Sequence, residues 1–212
     1  MARLQSRRKT NNRNYRTQFV LAVEGKTEKA YFEQFKGHIS EVQLMVNTGK
    51  GSNPTAVMAQ ADRMLEDLRS KGSLRAGDQA WCVIDRDEWE DDQIQEIWSW
   101  ASQRGDRGIA LSLPQFEWWL LLHFEDGTGA GTRKEIIDRL NRYIPDYQKG
   151  SSSQLPNENE QHKEAIRRAK KKIPSELTNF EDLKDLGGSW TTVHLLTEKI
   201  INAIQASSAA NS

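Results

Sequence analysis

Short apolar runs alternate with stretches of helical periodicity, and that alternation leaves few architectures open to this chain. The runs are Gln18–Val23 (QFVLAV), Val42–Val46, Gln79–Ile84 (QAWCVI) and Ile109–Leu113 (IALSL). Each is short and apolar and reads as a buried strand. Between the first two, the pattern predicts a helix over 28–35, with Thr27 as its cap and Ala30, Tyr31, Phe32 and Phe35 on its apolar face. Pro54 suits the first turn of a second helix that runs to about Arg69 and ends at Lys71-Gly72-Ser73. Ile94, Ile97, Trp98 and Ala101 mark a third helix over 91–103, and Pro114 opens a strongly apolar one over 115–124. Strands and helices in strict alternation argue for an α/β fold, a mainly parallel sheet flanked by helices.

After Asp126-Gly127-Thr128-Gly129 the pattern turns helical, with candidates at 134–143, 158–172 and 191–205 and a flexible break at 149–153. The organisation expected is a basic flexible arm over 1–16, an α/β core over 17–126, a helical C-terminal extension over 127–205 and a flexible tail over 206–212. The chain has 212 residues, 36% hydrophobic, with seven Trp, which suffices for one well-buried domain. No apolar run approaches the roughly 20 residues that span a bilayer. The N-terminus lacks an apolar segment of the secretory kind. Cys82 is the lone cysteine and lies inside an apolar run, which reads as a buried, reduced thiol and a cytoplasmic protein.

In open α/β sheets, ligands gather beyond the carboxyl ends of the strands. Glu24 ends the first strand, Asp85 and Asp87 end the third, and Ser112 and Glu117 flank the end of the fourth. Carboxylates drawn into a small space repel one another, and a hard divalent cation is the natural compensation. Mg2+ prefers oxygen ligands and retains waters that can be activated against a phosphodiester. Taken singly, a strand-end Asp-x-Asp is more often a solvated loop than a ligand pair, and a Glu-Gly turn is common; their order along the chain is the informative part.

The runs Val23-Glu24-Gly25-Lys26-Thr27-Glu28, Ile84-Asp85-Arg86-Asp87-Glu88 and Ser112 through Phe124 together resemble the RloB family, part of the wider TOPRIM group that includes the OLD-type nucleases. Tyr147-Gln148-Lys149 and Thr192-Val193-His194 resemble the family pattern too. The resemblance implies a TOPRIM-like fold and general acid/base work or metal binding for Glu24. It implies metal binding for Asp85, Asp87 and Glu117, with Mg2+ or Mn2+ as cofactor. Glu28, one helical turn beyond Glu24, can add a ligand or simply complement the helix dipole. Lys149 becomes the first candidate for a basic group at the scissile phosphate. The resemblance also implies a role in phage defence and an ABC- or AAA-type ATPase encoded nearby. RNA such as tRNA, or DNA, is the implied substrate.

The basic residues bear on substrate binding. Formal net charge is zero, yet Arg3, Arg7, Arg8, Lys9, Arg13 and Arg16 precede any acid, so the rest of the chain holds 24 of the 30 bases against 30 acids. Such an arm can steer a polyanion toward an acidic body, or be a solvated tail. Lys50, the second candidate for a phosphate contact, lies in a Gly-Lys-Gly-Ser loop whose amides can cradle a phosphate but which, lacking P-loop spacing, reads more simply as a surface turn. Arg167, Arg168 and Lys171 lie on a basic helix that can track a nucleic-acid backbone or face solvent beside Glu158, Glu160 and Glu164. His123 reads as a core residue or a proton shuttle, and of Trp118 and Trp119 at least one belongs to the core. The expectation is a Mg2+-dependent endonuclease, regulated by an ATPase, not membrane-bound, with a homodimer among its forms. The rival is a non-catalytic subunit that binds nucleic acid or regulates the ATPase.

Overall fold

The computed structural model describes residues 17–36, 42–48, 54–86, 89–151, 154–173 and 179–210. The basic arm, Lys50, Asp87, Glu88 and the last two residues lie outside these. In chain order the elements are β1 (Thr17–Val23), α1 (Lys26–Glu33), β2 (Val42–Thr48), α2 (Pro54–Ser70), β3 (Gln79–Asp85), α3 (Asp91–Ser102) and β4 (Arg107–Leu113). After these come α4 (Glu117–Leu121), α5 (Arg133–Leu140), α6 (Asn159–Lys170), α7 (Glu181–Lys184), β5 (Trp190–Thr191) and α8 (Val193–Ala210). The fold is α/β, with a mostly parallel sheet of order β2-β1-β3-β4-β5. β5 runs antiparallel to β4 through Ser112–Thr191 and Leu113–Trp190.

The central strands are apolar throughout because both faces are covered. Successive side chains on a strand point to opposite faces. Phe19, Leu21, Val23, Trp81, Val83 and Ala110 therefore join one core cluster, with Tyr31 and Phe32 of α1, Trp118 and Trp119 of α4, Ile136 of α5, Ile166 of α6 and Leu196 of α8. Val20, Ala22, Ala80, Cys82, Ile84 and Leu111 join the other, with Val57 and Leu65 of α2 and Ile94 and Ile97 of α3. Each of the Val, Leu, Ile and Phe side chains removed from water contributes about 1.5–3 kcal/mol. Segments after residue 127 thus share a core with β1 and β3. No helix among the described residues is long and apolar enough to cross a membrane.

Two local readings are corrected. Thr27 does not cap α1: Gly25 occupies that position without a side-chain cap, and the Thr27 hydroxyl accepts from the Gly150 N–H at 2.9 Å. Thr191, expected to open the last helix, pairs in β5 instead, and α8 runs on to Ala210.

The strand order creates a crevice. From β1 the chain passes through α1 on one face to the edge strand β2. From β3 it passes through α3 on the other face to β4. The connections leaving the adjacent strands β1 and β3 therefore diverge, and such a switch point opens a gap beyond the strand ends. Glu24 and Asp85 sit at that gap.

Candidate acidic centre

Glu24 directly follows β1, its N–H donating to the Val83 carbonyl at 3.1 Å. Its Oε2 accepts from the Asp85 N–H at 3.3 Å and from the Trp89 indole N–H at 3.4 Å. Asp85 is the last residue of β3, opposite Ser112. Glu28 lies in the first turn of α1 and Glu117 opens α4, both positions where a helix dipole favours negative charge. Both are buried, Glu28 at 5% and Glu117 at 1% exposure.

These four acids line one pocket of about 340 Å3, together with Gly25, Lys26, Thr27, Lys149 and Gly150. Gly25 is needed for close approach: a Cβ there would stand 2.6 Å from Glu28 Oε2. The 147–150 turn closes the opposite wall. The Tyr147 hydroxyl donates to Glu117 Oε1 at 2.9 Å, and Lys149 Nζ lies 3.6 Å from Glu117 Oε2. The turn is pinned to α1 by the Gly150–Thr27 bond and by packing. Gly150 has a φ of 81°, and a Cβ there would stand 2.9 Å from Lys26 Cβ.

The electrostatics follow from burying several acids beside few bases. Burial is the main reason that the Glu28 pKa rises to about 7; repulsion from Glu117 and Glu24 adds to it, and Lys149 opposes it. Burial likewise lifts Asp85 well above the carboxylate range, with Glu28, Glu117 and Glu24 adding repulsion. Asp85 Oδ1 is buried with no hydrogen-bond partner among the described residues. Burial, then the Glu117 charge, pushes the Tyr147 phenol up, so it stays a donor.

An all-oxygen set with surplus negative charge and an orphaned carboxylate oxygen suits a hard divalent cation. As the side chains stand, no three His, Cys, Asp or Glu residues among those described form a ready-made metal cage. Mg2+ does not need one, because it keeps several waters and is commonly held by one or two carboxylates. Glu24, Glu28, Asp85 and Glu117 are the residues that can hold it.

The other sequence candidates lie elsewhere. Arg167 pairs with Glu164 on α6, and Lys171 is exposed at the end of that helix. Arg168 turns inward, its guanidinium donating to the Leu122 carbonyl at 2.6 Å. None of the three lines the acidic pocket. Trp118 and Trp119 are both fully buried, so neither offers a face to a base. His123 is buried and hydrogen-bonded within the core. Sequence reasoning passed over Lys26, exposed at the pocket rim, and the Gly25 and Gly150 approaches. The adjacent Glu-Gly-Lys run held the clue to the first two.

A family model described as RloB-like protein matches residues 19–200, the span that holds the pocket and its walls. No curated protein and no solved structure matches the chain. With most of its length matched, this chain belongs to the RloB-like protein family.

Proposed function

We propose that the chain is a divalent-cation-dependent endonuclease that hydrolyses phosphodiester bonds in nucleic acid. The observation carrying this reading is the meeting of Glu24, Glu28, Asp85 and Glu117 in one pocket at the β1–β3 crevice, with Asp85 Oδ1 left unsatisfied. Leaving buried acids uncompensated destabilises a fold, which favours a bound cation over a purely structural role. A cation held there supplies charge stabilisation to the phosphoryl oxygens. Glu24, at the half-exposed end of β1, takes the proton of the attacking water as its oxygen bonds to phosphorus. The bond from phosphorus to the leaving oxygen breaks, and that oxygen is protonated from solvent. Lys149 and Lys26, which both line the pocket, orient the phosphate. Tyr147 holds Glu117 in place.

The defence role, regulation by a neighbouring ATPase, and RNA such as tRNA as a target come from the family resemblance and complete the proposal. The test is cleavage of labelled RNA and DNA by purified protein, alone and with that ATPase, across a Mg2+ and Mn2+ titration. Glu24→Ala and Asp85→Ala should each lower cleavage at least a hundredfold while leaving the fold intact by circular dichroism. Full activity in both variants would remove the site. Metal-independent binding without cleavage would favour the non-catalytic subunit.

A further inference from the structure

Three buried polar side chains tie together the helices that carry Glu28 and Glu117. Tyr31 stands one turn beyond Glu28 on α1, His123 follows the end of α4, and His162 lies on α6. Tyr31 Oη is 3.2 Å from His123 Nε2 and 3.2 Å from His162 Nδ1, and those two nitrogens are 3.1 Å apart. None of the three residues is more than 4% exposed.

The hydrogen bonds of this knot can be assigned. His123 Nδ1 is 3.0 Å from the Trp119 carbonyl. A carbonyl only accepts, so Nδ1 carries the proton and Nε2 offers a lone pair. Burial, with His162 adding to it, lowers the His123 pKa to about 3, which keeps the ring neutral. A hydroxyl both donates and accepts. Two bare ring nitrogens 3.1 Å apart repel, which places a proton on His162 Nδ1. With Tyr31 donating to His123 Nε2 and accepting from His162 Nδ1–H all three groups are paired, an arrangement that phenylalanine cannot reproduce. The Tyr31 ring packs edge-on against Phe116 at 5.5 Å and Trp119 at 6.2 Å, the residues flanking Glu117 and Trp118. In that dry aromatic shell, polar ties are stronger than in water.

The knot is loaded by the pocket above it. Glu28 on α1 and Glu117 on α4 are both buried and line the same pocket, so when both are ionised their like charges press the two helices apart. Arg168 adds a further grip from α6 on the end of α4 through the Leu122 carbonyl.

We propose that Tyr31, His123 and His162 are positioning residues, a clamp that holds the α1 and α4 carboxylates at a fixed separation against their mutual repulsion and so preorganises them for a divalent cation. The clamp's role in catalysis rests on the reading of the pocket as a metal site; its mechanical role does not. A preformed constellation binds more tightly than one that must be assembled.

Two measurements on the full chain test it. The first is Mn2+ titration. Tyr31→Phe and His162→Leu should each weaken Mn2+ about fivefold, the loss of one buried hydrogen bond's worth of organisation. His162→Asn, which keeps an N–H near the Nδ1 position, should retain wild-type affinity. A merely structural knot would lower the melting temperature and leave the affinity of the folded protein unchanged, and that result overturns the proposal. The second is a metal-free thermal cycle at pH 8.5. A relaxed pocket has already shed part of its repulsion, so Glu28→Gln should raise the melting temperature about 2 °C less in the Tyr31→Phe chain than in wild type. Equal increments also overturn the clamp. Should wild type bind no Mn2+, the metal reading falls and the thermal cycle alone decides the clamp.

Discussion

Removing the Glu28 charge should stabilise this protein at alkaline pH, the reverse of the usual result for a buried polar residue. An unfolded chain ionises a glutamate near 4.5, whereas the folded pocket holds the Glu28 proton until about 7. Between those values the folded state binds more protons than the unfolded one, so stability falls as pH rises through the window and levels off above it. The displacement corresponds to roughly 3 kcal/mol at pH 8.5, borne by a side chain too buried for solvent to screen. Glu28→Gln keeps an acceptor oxygen and discards the charge. For a chain of 212 residues, that relief should raise the melting temperature by roughly 6–12 °C at pH 8.5 and by little at pH 5. The assay is calorimetry or circular dichroism melting of both proteins across pH 5–8.5 in chelator. Millimolar Mg2+ should then raise the wild-type melting temperature and narrow the gap, because a cation relieves the same repulsion. A variant no more stable than wild type at pH 8.5, or a gain independent of pH, would refute the electrostatic reasoning and with it the strongest physical motive for a bound cation.

Two further substitutions probe the walls of the pocket. Gly25→Ala places a methyl group 2.6 Å from Glu28 Oε2 and must displace that carboxylate, so Mn2+ affinity and cleavage should fall at least tenfold while melting changes by only a few degrees. Tyr147→Phe removes the one phenolic donor to buried Glu117 and should lower stability by about 1.5–3 kcal/mol in urea titration, with a smaller loss once Mg2+ saturates the site.

How much of this was readable from the chain depended on whether the cause was local. The inner strands β1, β3 and β4 are near-continuous apolar runs because helices cover both faces of the sheet, and that pattern survives in one dimension; the edge strand β2 alternates instead, with Gln43 and Asn47 exposed. β5 escaped because two residues, Trp190 and Thr191, have no period; their place is set by pairing with Leu113 and Ser112. Thr27 next to Glu28 looks like a cap, but the chain bends at Gly25 and the Thr27 hydroxyl is claimed by Gly150 from far along the sequence. Among the acids, Glu24 and Asp85 were legible because strand ends are legible. The burial of Glu28 was not, since a glutamate in a first helical turn is ordinarily exposed. Nor could spacing show that Tyr147 and Lys149 reach Glu117, because that depends on how the turn after α5 folds back over α4. The reading of Arg168 as a nucleic-acid contact came from charge alone, and charge does not report that its guanidinium caps the end of α4.

The fold itself supplies a comparison that separates structural acids from the rest. Asp78 precedes β3 at the opposite edge of the sheet and is as buried as Glu28. There the carboxylate is fully used: Oδ1 accepts from the Gln18 N–H at 2.9 Å, and Oδ2 accepts from the Gln18 amide at 3.1 Å and the Arg75 N–H at 2.8 Å. That arrangement joins the starts of β1 and β3. At the other end of the same strand, Asp85 keeps a buried oxygen without a donor and faces three like charges. A chain able to satisfy one strand-end aspartate with three donors has the means to satisfy the other. Leaving a buried acid without a partner costs stability whether it is ionised or forced to hold its proton, so the different treatment of Asp85 makes sense if its missing partner is a cation that the chain does not itself provide.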